Sequence, residues 1–253
     1  DCSPWSAPPA RRACPKNDAE RHSQEQFPLI DALPDLLPLL IVIAGAFAAG
    51  FISGLAGFGT ALIASGFWFH ALPASMVPPL VVLVAVASQL MSFSSVRKSF
   101  DWRRVTPFLI GGAVGVPLGV LALSYASPSV LRPSVGIFLC VYALLQLLGL
   151  SRLRISPTVN RLHDGVVGVG GGMLGGFAGL SGPLPLIWLQ LKGGRSDTQR
   201  AIYQPFNLVV LAFAGVAMTV AGQVTGDVWM IAAVCLPAVV VGTYIGTRVY
   251  KGV

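Results

Sequence analysis

This 253-residue chain predicts an all-α polytopic membrane fold, and three observations lead to it. Apolar residues make up 54% of the chain and charged ones 11%, against about 25% charged in soluble proteins. Uncharged runs at 77–96, 105–125, 133–150, 201–222 and 228–247 are each long enough to cross a hydrocarbon core about 30 Å thick. Two glycine-rich phrases, "GFISGLAGFGTAL" at 50–62 and "GGFAGLSGPLPL" at 175–186, interrupt the remaining apolar stretches. A soluble fold would have to bury nearly every helix on all sides, which a chain of this size cannot do.

Taken in order, residues 1–35 are polar, Pro-rich and charged, lack an apolar leader core, and are expected to form a disordered arm. Cys2 and Cys14 lie in this arm and can pair only in an oxidising compartment. A first transmembrane repeat is expected over 36–150, a basic cytoplasmic linker over 151–161, and a second repeat over 162–253. Cys140 and Cys235 fall in spans, where a free thiol acts as a small packing residue.

The division into halves comes from an internal repeat. "GLAGFG" at 54–59 returns as "GLSGPL" at 179–184, an offset of 125 residues. "VPPLVVL" at 77–83 aligns with "QPFNLVVL" at 204–211, "FDW" at 100–102 with "GDVW" at 226–229, and "GVPLG" at 115–119 with "GTYIG" at 242–246. Four ordered blocks at nearly one spacing point to a duplication.

Charge placement decides how the halves are oriented. If 36–69 and 162–190 were plain spans, the Lys and Arg residues outside the arm would divide seven against six between the two sides. If each is instead a hairpin that enters and leaves by one face, the division is twelve against one, as the positive-inside rule favours. The hairpin reading gives arms of roughly 17 and 14 residues, about 25 and 22 Å, each short of a full crossing. One hairpin then enters from outside and the other from inside, so that two glycine tips approach each other near the midplane in an inverted-repeat layout.

Non-helical backbone at membrane depth is tolerated only where protein or a polar cavity surrounds it. At each tip a new helix begins, exposing unpaired N–H groups and the positive end of a helix dipole, and two such clusters facing each other favour an anion. The glycines at the tips, Gly57, Gly59, Gly179 and Gly182, let a ligand approach the backbone. Phe58 lies within the first tip, and Pro183 suits the first turn of the outgoing half-helix. Thr60 and Ser181 offer hydroxyls to an oxyanion. Gln89, Gln204 and Asn207 offer amide donors without the desolvation cost of a charge. These eleven residues form the expected substrate site. Pro79 and Pro205 are expected in the first turns of matching helices. Arg200 is read mainly as a topology determinant, with the gathering of anions at the inner mouth as its functional alternative. The glycine runs at 111–119 and 165–172 are read as helix-packing surfaces.

The tips "GLAGFG" and "GLSGP", the paired halves and "RAIYQPFN" after the second tip resemble the sulfite exporter TauE/SafE family of bacterial membrane transporters over nearly all of residues 36–250. The resemblance implies export of a small sulfur-containing anion, such as sulfite, a sulfonate or sulfoacetate, across the bacterial inner membrane. Members often carry one more span, so the second half is expected to lack the counterpart of 133–150.

The net charge of +7 resides largely in loops, which argues for membrane orientation and against nucleic acid as partner. The partners expected are a small anionic substrate and the lipid bilayer, with a second copy of the chain left open. The sequence contains no Ser-His-Asp set, HExxH, paired carboxylates, phosphate loop or metal spacing, so neither an enzyme nor a cofactor is expected. An anion channel of the same architecture and a scaffold without substrate are the alternatives. With no ionisable residue expected inside a span, export driven by the membrane potential without a proton relay is the expected energetics.

Overall fold

The computed structural model describes residues 36–93, 102–149 and 161–252, and among the described residues there are nine α-helices and no strand. The arm at 1–35 with Cys2 and Cys14, the loop residues 94–101 and linker residues 151–160 lie outside the described residues. The helices are α1 (Leu36–Ala56), α2 (Thr60–Ala71), α3 (Val77–Phe93), α4 (Trp102–Tyr125) and α5 (Pro128–Leu147). After the linker come α6 (Arg161–Ala178), α7 (Pro183–Lys192), α8 (Ser196–Val220) and α9 (Gly226–Gly252). Five of them, α1, α4, α5, α8 and α9, are long and apolar enough to cross a membrane, which corrects two expectations: α1 was expected to be an arm short of a full crossing, and 77–96, expected to span, folds over its described part as the 17-residue α3. The protein is an all-α, multi-pass membrane protein. Lipid offers the backbone no hydrogen-bond partner, so the apolar runs satisfy their amides internally as helices.

Two helix starts differ from the expected ones. Helix α5 opens at Pro128, where the missing proline N–H costs nothing, so that Pro133 is interior. Helix α8 opens at Ser196 with Asp197 in its first turn, where a carboxylate suits the positive end of the dipole. Pro205 therefore lies inside α8 rather than in its first turn, and Arg200 becomes a helix residue. Polarity had marked 196–200 as loop, but tertiary partners draw it into the helix.

Both glycine segments fold back on themselves. Trp68 of α2 donates Nε1–H to the Val42 carbonyl of α1 over 3.0 Å. Had α1 and α2 continued in one line, 26 residues would separate these groups by about 39 Å. In the second segment Lys192, at the end of α7, pairs with Asp164, in the first turn of α6, over 2.6 Å. Trp188 also donates to Asp164, over 2.7 Å. The arms are unequal, with 21 and 12 residues in α1 and α2 and 18 and 10 in α6 and α7, rather than the equal arms expected.

Two parallel glycine seams hold the bundle. Along α4 and α6, a Cβ added at Gly172 would stand 2.7 Å from the Gly112 Cα, and one at Gly115 would strike the Val169 carbonyl. Along α1 and α9, added Cβ atoms at Gly50 and Gly54 would strike the carbonyls of Val239 and Thr243, and those at Gly242 and Gly246 the carbonyls of Phe47 and Phe51. Small residues let backbones meet where burial of apolar surface offers no driving force, as in lipid. Cys235 is buried as expected of a packing residue, whereas Cys140 is exposed on α5 beside exposed Ile137, Val141 and Leu144. That face is free to meet lipid.

The ends of the bundle differ in chemistry. At one end Arg103, Arg104, Arg161 and Lys192 line a cavity of about 500 Å³ together with Asp164. At the other, Arg132 reaches the Leu72 carbonyl at 3.4 Å, and Ser75, Gln223 and Thr225 share a second cavity. The first hairpin opens toward this second end and the α6–α7 hairpin toward the basic one.

Candidate functional site

Both helix breaks are built on glycine because the turns need positive φ. Gly57 (+81°), Gly59 (+103°) and Gly179 (+73°) occupy the left-handed region, which costs residues with a Cβ about 1–2 kcal/mol. Gly182 is different. With φ −76° it needs no special conformation, and what excludes a side chain there is the Asn207 amide, 2.9 Å from an added Cβ.

The breaks do not meet head to head. On α3, Gly179 lies against Val81, whose Cγ1 is 2.7 Å from an added Cβ, while the Gln89 amide donates to the Gly57 carbonyl over 3.3 Å. Eight residues of α3 separate these points, about 12 Å of rise. The tips therefore pass each other side by side. The tips come together as expected, but α1, longer than the arm of roughly 17 residues expected, carries the first tip past the second.

Between the passing tips lies a cavity of about 20 Å³. Phe58, Gly59 and Thr60 line it from the first tip, Gly179, Ser181, Gly182 and Pro183 from the second, with Gln89 of α3 and Asn207 of α8. The two other expected residues, Gly57 and Gln204, sit beside it in contact with each other: an added Cβ at Gly57 would stand 2.6 Å from Gln204 Nε2. Thus the fold gathers all eleven. A cavity of about 10–15 Å³ holds one water, so this one is far smaller than a sulfonate and an anion can enter only if the tips part.

The donors are unevenly spread. Thr60, Ala61 and Leu62 open α2, and their N–H groups have no partner within the helix. The Thr60 hydroxyl, 2% exposed, has no hydrogen-bond partner either. In the first turn of α7, however, Pro183 and Pro185 carry no N–H, which leaves Leu184 as donor. Two facing N–H clusters were expected, and Pro185, beyond the Pro183 already noted, reduces the second further. Ser181 Oγ donates to Asn207 Oδ1 over 3.1 Å, which turns the Asn207 NH₂ toward Gly182. No charged side chain among the described residues lines this cavity.

Sequence reasoning missed the other side of the first tip. Helix α1 ends there with carbonyls that have no partner in the helix, at the negative end of its dipole. Arg200 donates to the carbonyls of Gly54 (3.2 Å) and Leu55 (3.3 Å), and Tyr203 donates to that of Ala56 (2.6 Å). Arg200 is 5% exposed, a buried cation inside α8 rather than a loop residue at the inner mouth. The expectation that no ionisable residue lies in a span fails here. Arg200, Tyr203, Gln204 and Asn207 recur at helical spacing and share one buried face, a signal legible only once α8 is known to start at Ser196.

The chain from residue 42 to 253 matches the family described as sulfite exporter TauE/SafE. It is also 32% identical over 229 residues, covering 84% of each chain, to a Cupriavidus necator protein named "Probable sulfite/organosulfonate exporter TauE". No solved structure matches the chain. The family is one of transporters rather than enzymes, and its match spans both hairpins, the cavity between them and the face of α8 that caps α1. The chain belongs to the sulfite exporter TauE/SafE family.

Proposed function

We propose that the protein is a secondary carrier that exports a small sulfur-containing oxyanion, sulfite or an organosulfonate, across the bacterial inner membrane. The observation that carries this reading is the cavity between the tips, where the first turn of α2, Thr60, Gln89, Ser181 and Asn207 converge without a charged side chain. Uncharged donors at a helix N-terminus bind an anion yet release it, as a carrier must. The closeness of the cavity favours a carrier over a channel, because the tips must part at each cycle. The halves are read as an inverted repeat. Its support is the pair of matching seams, α1 on α9 and α6 on α4, together with the opposite opening of the hairpins. The end bearing Arg103, Arg104, Arg161 and Lys192 is assigned to the cytoplasm by its positive charge.

Among the described residues Asp164 is the buried carboxylate, and it is paired with Lys192 near a helix end. An anion leaving a negative interior needs no proton relay, since the potential supplies about 2.3 kcal/mol per charge per 100 mV. In proteoliposomes loaded with sulfite, a valinomycin-set potential of about 100 mV, negative in the compartment being emptied, is expected to accelerate saturable efflux at constant pH and to favour accumulation outside by more than tenfold at equilibrium, at about 1.4 kcal/mol per decade. Efflux that follows only an imposed pH gradient would overturn the potential-driven reading, and efflux that never saturates would replace the carrier with a channel.

A further inference from the structure

Arg200 has an unusual set of partners for a buried cation. The residue is 5% exposed, and among the described residues its guanidinium has no carboxylate within ion-pair distance. Its charge is met by the Gly54 and Leu55 carbonyls and by the face of the Tyr250 ring, 4.0 Å from Cζ. Tyr250 in turn donates its hydroxyl to Asp197 over 3.1 Å, joining the C-terminal turns of α9 to the first turn of α8. This set fastens the end of α1 to α8 and α9 on the side of the first tip facing away from the cavity.

The fastening is incomplete. Arg200 Nε has no hydrogen-bond partner, and neither has either amide atom of Gln204, a side chain 1% exposed one turn further along α8. Both groups converge on Gly57: an added Cβ there would stand 2.8 Å from Arg200 Nε and 2.6 Å from Gln204 Nε2. Unsatisfied buried donors are costly, and a guanidinium held by two neutral carbonyls exchanges them readily for an oxyanion, whose charge-assisted and bidentate bonds are roughly twice as strong.

We propose that Arg200 and Gln204 form a second anion station, separate from the cavity between the tips, and that its occupation unlatches the first tip. With no anion present, Arg200 holds the last carbonyls of α1 and keeps the tip shut. An oxyanion that reaches the guanidinium and the Gln204 amide displaces the Gly54 and Leu55 carbonyls, frees the end of α1 and opens the way to the cavity. The transported anion thus operates its own gate, and neutral solutes leave it closed. The inference rests on the transport reading for the identity of the anion, but the unlatching is measurable without flux.

The test is the alkylation rate of Ala56→Cys in the full chain, with Cys2, Cys14, Cys140 and Cys235 replaced by serine or alanine, in detergent. Sodium methanesulfonate, an organosulfonate that does not consume the alkylating reagent as sulfite does, is compared with sodium chloride at equal ionic strength. Methanesulfonate is expected to raise the rate at least fivefold. Arg200→Gln is expected to react fast in either salt, and Arg200→Lys, which keeps the charge but cannot bridge two carbonyls in the same way, to fall between. Monodispersity on size exclusion separates unlatching from unfolding, and Gln204→Leu, which leaves the carbonyl bonds intact, is expected to react slowly with its methanesulfonate response lost. If methanesulfonate leaves the rate unchanged, or if Arg200→Gln behaves like the parent, the latch is overturned. Saturable sulfite efflux by the same preparation would then leave the transport reading standing, and its absence would remove both.

Discussion

The first glycine tip, residues 57–59, joins α1 to α2, the second, residues 179–182, joins α6 to α7, and the two are surrounded differently. Polar groups surround the first. Arg200 and Tyr203 cap the helix that enters it, Gln89 holds the Gly57 carbonyl, and three free N–H groups open the helix that leaves it. Val81 and Val82 pack against the second, and two prolines strip donors from its outgoing helix. On the proposed reading the first tip supplies most of the donors and carries the latch, while the second contributes Ser181 and its Asn207 partner and otherwise shapes the wall. The difference teaches that a repeated glycine phrase specifies a chain reversal, whereas the neighbours it is given determine the chemistry.

The largest expected effect lies at the first tip. Gly57→Leu places a side chain onto Gln204 and Arg200 at a residue whose φ is +81°. Sulfite efflux is expected to vanish and the thermal midpoint to fall, since the left-handed conformation alone costs about 1–2 kcal/mol. Gly182→Ala, where φ is −76° and Asn207 is a movable neighbour, is expected to keep efflux and lower affinity no more than tenfold. Equal damage from both variants would break the distinction between the tips.

A smaller effect sharpens the same contrast. Pro183→Ala gives the second tip the N–H it lacks, and one hydrogen bond to an anion is expected to tighten sulfite binding by about 1 kcal/mol, roughly fivefold in calorimetry. The same substitution loosens the unfolded chain and is expected to lower stability by about 0.4–1 kcal/mol. Binding and stability should therefore move in opposite directions, and weaker binding would show that the second tip does not face the anion.

Ser181→Ala is the smallest. Ser181 donates to Asn207 Oδ1, so it orients the amide proposed to meet the anion. The expected loss is about 0.5 kcal/mol, a two- to threefold weaker sulfite affinity by the same calorimetry, at the low end for a hydrogen bond. A loss beyond tenfold would make the hydroxyl itself a substrate ligand.

The sequence by itself determined the class of the fold and the positions of both reversals, but not which helices are of membrane length, since α1 proved longer and α3 shorter than expected. Long uncharged runs have one solution in lipid, and glycine phrases repeated 125 residues apart mark where helices must stop. It also singled out nine residues that line the cavity, because glycine breaks and polar side chains within apolar runs are few, while Gly57 and Gln204 lie beside it. It did not determine the lengths of the hairpin arms, the side-by-side passage of the tips or the role of Arg200. Those depend on which backbones can approach closely, and the glycine seams of α1 with α9 and of α6 with α4 settle that between residues far apart in the chain. Arg200 reads as an ordinary loop cation until α8 is seen to begin at Ser196. Only then do the open carbonyls of α1, presented by tertiary packing, turn it into a buried group with partners, because a charge can leave water only where the rest of the fold has already placed something to meet it.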